Sequence, residues 1–179
     1  MTPLAPSEDG GEPAPRRVAL LSDTHFPRRG TALPEVVLDA LRSADAIVHA
    51  GDVCDAATLA ALRALGPPLY AVLGNNDAAL AGELPEALTL PVAGGRRLAV
   101  VHDAGPAPGR LARLRKRFPD HDAVVFGHSH VPLHEQDGDF QIFNPGSPTD
   151  RRGRWPVHTF GMLEAGEAGL RFTLLDVER

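Results

Sequence analysis

The chain has 179 residues, a length that suits one domain and allows a real core without disulfides or structural zinc. Its net charge of −5 argues against a broad nucleic-acid-binding surface, and it contains no apolar run of about 18 residues that could span a membrane. The single cysteine, Cys54, excludes an internal disulfide and a Cys-rich zinc knuckle. A metal site would therefore have to use the eight histidines together with Asp, Glu and Asn.

Residues 1–15 are predicted to be a disordered N-terminal tail. They hold four prolines, two glycines and three acids, and they cannot bury enough apolar area to offset the entropy of ordering. A single folded domain is predicted over residues 16–179. The tail lacks the positive charge and apolar run of a signal peptide, which together with a lone free cysteine predicts a cytoplasmic protein.

The first half of the domain alternates strands with helices. Buried strands are predicted for three apolar runs, at residues 18–21, 46–49 and 69–73. One helix is predicted from Pro34 to Ser43, and a second begins after Asp55 and ends before Gly66. This order predicts a largely parallel sheet with right-handed crossovers.

The second half begins with a strand–helix–strand unit and then loses its helical period. Further elements are predicted at residues 98–101 (strand), 110–118 (helix) and 123–126 (strand), followed by short strands at 131–135, 140–143, 156–163 and 169–176. We expect these strands to form a second, mostly antiparallel sheet. The predicted fold class is α/β, a four-layer α-β-β-α sandwich of two mixed sheets.

Five of the strands are followed, within one to three residues, by side chains that can bind metal. These side chains are Asp23, His25, Asp52, Asn75, His102, His128 and His130. The carboxyl ends of strands line the ligand crevice of open α/β sheets, and residues i and i+2 of an extended segment point the same way. Seven donors are too many for one ion but fit two ions that share one carboxylate. Nitrogen and oxygen donors without a thiolate suit Mn, Fe, Zn, Ni or Co.

In their order, these motifs resemble those of the calcineurin-like metallophosphoesterases. They read Asp-x-His, Gly-Asp, Gly-Asn-x-Asp, a lone His after a strand, and Gly-His-x-His. The short length and the turn Asn144-Pro145-Gly146-Ser147 are similar to the small bacterial and archaeal phosphodiesterase subgroup. The resemblance covers residues 18–148.

The resemblance implies a dinuclear centre of two divalent ions, with manganese expected and Fe, Ni, Zn or Co as alternatives. The first ion would be held by Asp23, His25 and His130. The second would be held by Asn75, His102 and His128. Asp52 would bridge the two ions, as would a hydroxide that attacks the phosphorus in line. The catalytic candidates are Asp52, Asn75, Asp77 and His102.

Two positions depart from the family pattern. Asn76 stands where many relatives carry a histidine that is thought to protonate the leaving group. An amide is a poor proton donor, so we expect a preference for good leaving groups such as aryl esters, unless metal-bound water or Asp77 supplies the proton. His102 is followed by Asp103, where relatives often have glycine.

Other polar residues are interpreted as structural. His49 is expected to be a hydrogen-bonded core histidine, Cys54 a buried thiol, and the basic run 110–117 the solvated face of a helix. Asn144 and Ser147 are expected to brace the site. Three arginines follow the Asn144–Ser147 turn, namely Arg151, Arg152 and Arg154. They could reach a substrate phosphate, although arginines in turns often serve solubility.

The sequence thus predicts a metal-dependent phosphoester hydrolase. A phosphodiesterase acting on a small phosphodiester or nucleotide-like substrate is the leading interpretation. The alternatives are a phosphomonoesterase or nucleotidase with the same site, and a non-catalytic metal-binding scaffold, the role of a eukaryotic retromer subunit with this fold. The sequence does not decide whether the chain forms a homo-oligomer.

Overall fold

The described part of the chain forms ten strands and three eight-residue helices. The computed structural model describes residues 13–153 and 155–178. The strands are β1 (Arg17–Leu21), β2 (Ala46–His49), β3 (Leu69–Ala71), β4 (Ala87–Val92), β5 (Arg96–Val101), β6 (Ala123–Val125), β7 (Leu133–Asp137), β8 (Phe140–Asn144), β9 (Thr159–Gly166) and β10 (Gly169–Asp176). The helices are α1 (Glu35–Arg42), α2 (Ala56–Arg63) and α3 (Arg110–Arg117), and a short 3-10 turn spans Ala78–Leu80.

The strands form two five-stranded mixed sheets. The first has the order β10-β9-β1-β2-β3, with β1, β2 and β3 parallel and β9 and β10 antiparallel. The second has the order β4-β5-β6-β8-β7, with β5, β6 and β8 parallel and antiparallel strands at both edges. Both sheets therefore place the carboxyl ends of their central parallel strands at one rim.

Alternating side chains of the strands build three apolar layers. Val18 and Leu20 of β1 face the second sheet, whereas Ala19 and Leu21 face helices α1 and α2. Leu114 of α3 packs on the outer face of the second sheet. The order of layers is α-β-β-α, which confirms the predicted fold class.

The prediction for the second sheet was wrong in two respects. Strands β9 and β10 belong to the first sheet, where Leu163 of β9 pairs with Val18 of β1. The second sheet is half parallel rather than mostly antiparallel, because β6 lies between β5 and β8. An apolar alternation identifies a strand but does not say which sheet edge the strand will join.

Strand β4 was not predicted. Its sequence contains Pro91, which lacks the N–H that a central strand needs, but β4 is an edge strand, where proline is tolerated. Of the predicted tail, residues 1–12 lie outside the described residues, and the carbonyl of Pro15 accepts a hydrogen bond from the Ala93 N–H. Within the described ranges, no helix has the length and apolarity needed to cross a membrane.

Candidate metal centre

The loops that follow five strands meet at one rim of the sandwich and bring the seven predicted ligands together. Three of these strands, β1, β2 and β3, are neighbours in the first sheet, and two, β5 and β6, are neighbours in the second. The loop after β1 is tied to the loop after β2 by hydrogen bonds from the Asp23 and His25 N–H groups to the carbonyls of Gly51 and Asp52. The donors therefore come from both sheets onto a common edge.

The first half-site consists of Asp23, His25 and His130. The Nε2 atoms of His25 and His130 lie 3.1 Å apart. The Oδ1 atom of Asp23 lies 3.3 Å from Nε2 of His130 and 3.8 Å from Nε2 of His25. All three side chains are buried, so their donor atoms face one another rather than solvent.

The second half-site consists of Asn75, His102 and His128. The Oδ1 atom of Asn75 lies 3.0 Å from Nε2 of His102 and 2.9 Å from Nδ1 of His128. The two imidazole nitrogens are 3.3 Å apart. His102 is buried, whereas Asn75 and His128 are exposed, so this half-site is the one that opens to solvent.

Asp52 lies between the half-sites. Its Oδ2 atom is 3.4 Å from Nε2 of His25 and 3.5 Å from Nε2 of His102. The carboxylate also accepts two hydrogen bonds of 2.8 Å from Asn76, one from its N–H to Oδ1 and one from its amide to Oδ2. One carboxylate oxygen thus faces both clusters.

Backbone carbonyls orient two of the histidines. Nδ1 of His102 lies 2.8 Å from the Ala50 carbonyl, and Nδ1 of His130 lies 2.5 Å from the Asp150 carbonyl. A carbonyl only accepts, so each Nδ1 must carry the proton. In the neutral ring Nε2 then presents its lone pair to the cluster, which is the arrangement that metal-bound histidines show.

The donor set fits divalent ions. In the described part of the chain, Oδ1 of Asp23 is buried without a hydrogen-bond donor. Burial opposes ionisation of Asp23, yet the neighbouring His130 holds the pKa of that carboxyl below its ordinary value. Ligands about 2.1 Å from one ion lie roughly 3.0–3.5 Å apart. The donor atoms lie 3.1–3.8 Å apart in the first half-site and 2.9–3.3 Å apart in the second, close to that spacing. Two overlapping groups of metal-capable side chains result, Asp23–His25–His130 and Asp23–Asp52–His102.

The backbone is left-handed at most of these ligands. Among the residues that the structure describes, six non-glycine residues have a positive φ. Five of the six are predicted ligands: Asp23 (55°), His25 (50°), Asp52 (62°), His128 (69°) and His130 (56°). Each such residue stores about 1–2 kcal/mol of strain. Nothing in residue type announces this conformation at a histidine, so the sequence could not have revealed it.

Two glycines let the loops approach each other closely. A Cβ on Gly74 would lie 2.2 Å from Oδ1 of Asp52, and one on Gly51 would lie 2.5 Å from Nδ1 of His102. Both distances are far inside van der Waals contact. The lack of a side chain at Gly51 and Gly74 therefore lets these loops pack directly against the ligands.

Asp77 lies behind the site rather than in it. Its buried carboxylate accepts hydrogen bonds from the N–H groups of Asp52, Cys54 and Gly74, at 2.9, 2.7 and 2.7 Å. These bonds join the loops after β2 and β3. Asp77 is thus a positioning residue, and the role of proton donor that the sequence left open for it does not suit this place.

The end of β8 and the turn that follows it brace the loops after β6 and β1. The amide of Asn144 donates to the Gly127 carbonyl at 2.8 Å, and the hydroxyl of Ser147 donates to the Asp23 carbonyl at 2.7 Å. Sequence reasoning did not single out Asp150, whose carbonyl and carboxylate both contact His130. An aspartate in a turn carries no signal that would have found it.

The remaining singled-out residues have ordinary roles. His49 is fully buried, with Nε2 3.1 Å from the Thr24 hydroxyl, and burial lowers its pKa to about 4. The thiol of Cys54 lies 3.6 Å from Nδ1 of His25, and burial raises its pKa to about 11, so it remains a thiol. Arg154 lies outside the described residues.

A cavity of about 250 Å³ adjoins the exposed half-site. Its walls combine three ligands with apolar and charged side chains, namely Leu73, Asn75, Glu86, Val101, His102, Asp103, Arg117 and His128. A larger groove of about 380 Å³ runs between α1 and α2 but contains none of the seven predicted ligands. The smaller cavity is therefore the space in which a bound molecule would meet the cluster.

The chain is similar in sequence to metallophosphoesterases and in fold to Vps29. A probable metallophosphoesterase from Methanothermobacter thermautotrophicus is 33% identical over 134 residues, 74% of this chain and 77% of that protein. Phosphodiesterase YfcE of Escherichia coli is 36% identical over 69 residues, 38% of this chain and 35% of that protein. The zinc complex of Vps29 from Entamoeba histolytica superimposes with a TM-score of 0.71 and 24% identity, covering 90% of this chain and 99% of that one.

The family model for the calcineurin-like phosphoesterase superfamily domain matches residues 17–168, a span that contains all seven predicted ligands. The sequence resemblance is confirmed, and the chain belongs to the calcineurin-like phosphoesterase superfamily.

Proposed function

We propose that the protein is a dinuclear metal-dependent phosphodiesterase. The observation that carries the proposal is the position of Asp52, whose Oδ2 atom lies 3.4 and 3.5 Å from histidine nitrogens of the two separate half-sites. A single-ion site would need one cluster of donors. Two clusters of three donors, joined by one carboxylate oxygen, suit two ions.

Asp23, His25 and His130 would hold one ion, Asn75, His102 and His128 the other, and Asp52 both. Two such ions, when bound, lower the pKa of water and neutralise charge on a phosphoryl group. Manganese is the metal we propose, as the family resemblance implies; the donors, imidazole, carboxylate and amide oxygen without a thiolate, suit it and also Fe, Zn, Ni or Co. The protein's own contribution is to place the proton of His102 and His130 on Nδ1 through the carbonyl partners, so that in the neutral ring Nε2 presents its lone pair to the cluster.

The preference for diesters rests on the open half-site and on Asn76. The cavity beside Asn75 and His128 provides room for the part of a substrate beyond the phosphorus. The amide of Asn76 donates to Asp52 and holds no ionisable proton for a leaving group. We therefore propose diesters with good leaving groups as the substrates that this site turns over fastest. The name of the Escherichia coli relative, a phosphodiesterase, supports the same choice.

The test is reconstitution of the purified protein with single metals. Bound Mn, Fe, Zn, Ni and Co are measured first, and hydrolysis of bis(p-nitrophenyl) phosphate and p-nitrophenyl phosphate is then assayed with Mn, Ni, Zn or Mg added. We expect about two ions per chain and faster turnover of the diester. Faster turnover of the monoester would favour a phosphomonoesterase, and no turnover with any metal would favour a scaffold.

The Asp52→Asn variant is the matched control for the bridging role. It keeps the size and shape of the side chain but removes its negative charge and one of the two oxygens that accept from Asn76. We expect at least one ion to be lost and diester hydrolysis to fall about 100-fold or more. Full activity in this variant would refute the bridging role.

A further inference from the structure

Two arginines converge on Asp150 beside the first half-site. Asp150 contacts Nε of Arg29 through Oδ1 at 3.3 Å and Nη2 of Arg152 through Oδ2 at 3.6 Å. Arg29 comes from the loop after β1, and Arg152 comes from the loop after β8. The carboxylate is 12% exposed, whereas the arginine side chains are 56% and 52% exposed. A shielded acid thus holds two guanidinium groups at the surface.

The two guanidinium groups, here called the arginine pair, retain most of their hydrogen-bonding capacity. Each uses one nitrogen on Asp150, and neither has another acceptor within the described ranges 13–153 and 155–178. Arg113 on α3 is different, because it donates to the carbonyls of Ala104, Pro106 and Pro108. Two positive groups on one carboxylate also leave a net positive charge, in a chain whose net charge is −5.

The arginine pair is connected to the first half-site through Asp150. Asp150 contacts Nδ1 of His130, through both its carbonyl and its carboxylate. The opposite ring nitrogen, Nε2, is the one that faces Asp23 and His25. Asp150, which the arginine pair contacts, therefore lies on the Nδ1 side of the imidazole ring, next to the cluster.

We propose that Arg29 and Arg152 form a subsite for a second phosphate group of the substrate. This inference rests on the proposed function, and it assigns the preferred substrates to phosphodiesters that carry a further terminal phosphate, such as esters of nucleoside bisphosphates. A terminal phosphate offers three oxygen acceptors, enough for two guanidinium forks at once. Asp150 holds the two forks together in the absence of substrate.

A matched pair of chromogenic substrates tests the subsite. The p-nitrophenyl ester of thymidine 5′-phosphate is compared with the same ester carrying a 3′-phosphate, so that the scissile bond and leaving group are identical. With manganese added, we expect the wild-type KM to be about tenfold lower for the 3′-phosphorylated ester. In Arg29→Ala and Arg152→Ala we expect that ratio to fall towards one, and in Arg42→Ala, an exposed arginine on α1, to stay at the wild-type value.

The outcomes separate the subsite from the proposed function. A wild-type enzyme that hydrolyses both esters with equal KM refutes the subsite and leaves the phosphodiesterase intact. An equal rise in KM for both esters in the arginine variants also refutes it, because the arginines would then act only through Asp150 and His130. Hydrolysis of neither ester refutes the phosphodiesterase.

Binding measured without turnover completes the test. Calorimetric titration of the metal-free protein compares thymidine 3′,5′-bisphosphate with thymidine 5′-phosphate. Tighter binding of the bisphosphate, lost in Arg152→Ala, supports the subsite even in an inactive protein. Equal affinity for the two nucleotides counts against it.

Discussion

Asn76 is the single residue that most directly connects the structure to substrate choice. Its amide donates to Oδ2 of Asp52 at 2.8 Å, so the side chain orients a carboxylate and carries no proton for a leaving group. An imidazole at this position could donate a proton near neutral pH. We expect Asn76→His to raise kcat about tenfold for diesters with poor, alkyl leaving groups and to change aryl diesters little.

The measurement is the dependence of kcat on the acidity of the leaving group across a series of diesters. A shallower dependence in Asn76→His is the expected signature of proton donation. Asn76→Gln is the matched control, because it changes the length of the side chain without adding an ionisable group. An unchanged dependence in the histidine variant would rule out position 76 as a site for the acid.

His49 makes a pH prediction at the same scale. Burial lowers its pKa from 6.5 to about 4, so between these values the unfolded chain binds a proton that the folded chain does not. Stability is therefore lost as pH falls from 6.5, by up to about 1.4 kcal/mol per pH unit. The free energy of unfolding of the metal-free protein, measured in urea, should fall between pH 6 and pH 5. In His49→Gln this fall should be smaller by roughly 1 kcal/mol. An equal fall in the two proteins would contradict the prediction.

The identities of the predicted ligands could be inferred from sequence because each one follows an apolar run. The carboxyl ends of parallel strands share an edge, so linear position predicts a common location. The roles of Asp77 and Asp150 could not be inferred in this way. Asp77 accepts from the backbone N–H of Asp52, and the carbonyl of Asp150 contacts the His130 ring; both contacts join different loops and exist only once those loops have met.

At the scale of elements, the close packing of the loops after β2 and β3 requires a glycine at position 74. Gly74 has no room for a side chain, since a Cβ would lie 2.2 Å from Oδ1 of Asp52 and 2.3 Å from its backbone nitrogen. We expect Gly74→Ala to displace the loop, to lower the free energy of unfolding by about 3 kcal/mol and to weaken metal binding. Urea unfolding and a manganese titration measure the two effects.

Gly166 supplies the control for this substitution. A Cβ there would meet no atom within 4 Å, and its φ is not in the left-handed region. We expect Gly166→Ala to change stability by less than about 1 kcal/mol and to leave metal binding unchanged. Equal losses in the two alanine variants would show that close approach at Gly74 is not the cause.

Helices and strands with a strong hydrophobic period could be predicted from the sequence, whereas the neighbours of each strand in a sheet could not. The strands of the β-α-β-α-β unit follow from their apolar runs, and helix α2 follows from Asp55, whose carboxylate accepts from the Thr58 N–H at 2.7 Å. Strands β9 and β10 carry the same alternation whichever sheet they join. Their location was decided by the free edge of β1, a property of the assembled sheet.

For the molecule as a whole, the metal centre joins the two sheets. Its donors come from loops of both, and the buried Asp23 carboxylate is left partly without partners when no ion is present. Ions that bind only the folded chain stabilise it by about 4 kcal/mol when the free metal is 1,000-fold above Kd. For a chain of this length that corresponds to roughly 10 °C in Tm.

Calorimetry before and after treatment with a chelator measures this stabilisation. We expect Tm to fall by about that amount on metal removal and to recover when manganese is returned. The Asp52→Asn protein serves as the comparison, with a smaller response to manganese. A Tm that changes neither on metal removal nor on the return of manganese would show that the ions do not stabilise the folded chain.

The left-handed backbone at five ligands has a consequence for how such a site persists over evolution. Asparagine and glycine tolerate that conformation better than histidine does, so replacements at these positions relieve strain in the metal-free chain. A lineage that no longer needed the chemistry would drift towards such residues and gain robustness by doing so. Five of the seven donors on a strained backbone are therefore what the proposed metal centre would require, because a bound ion would offset the strain.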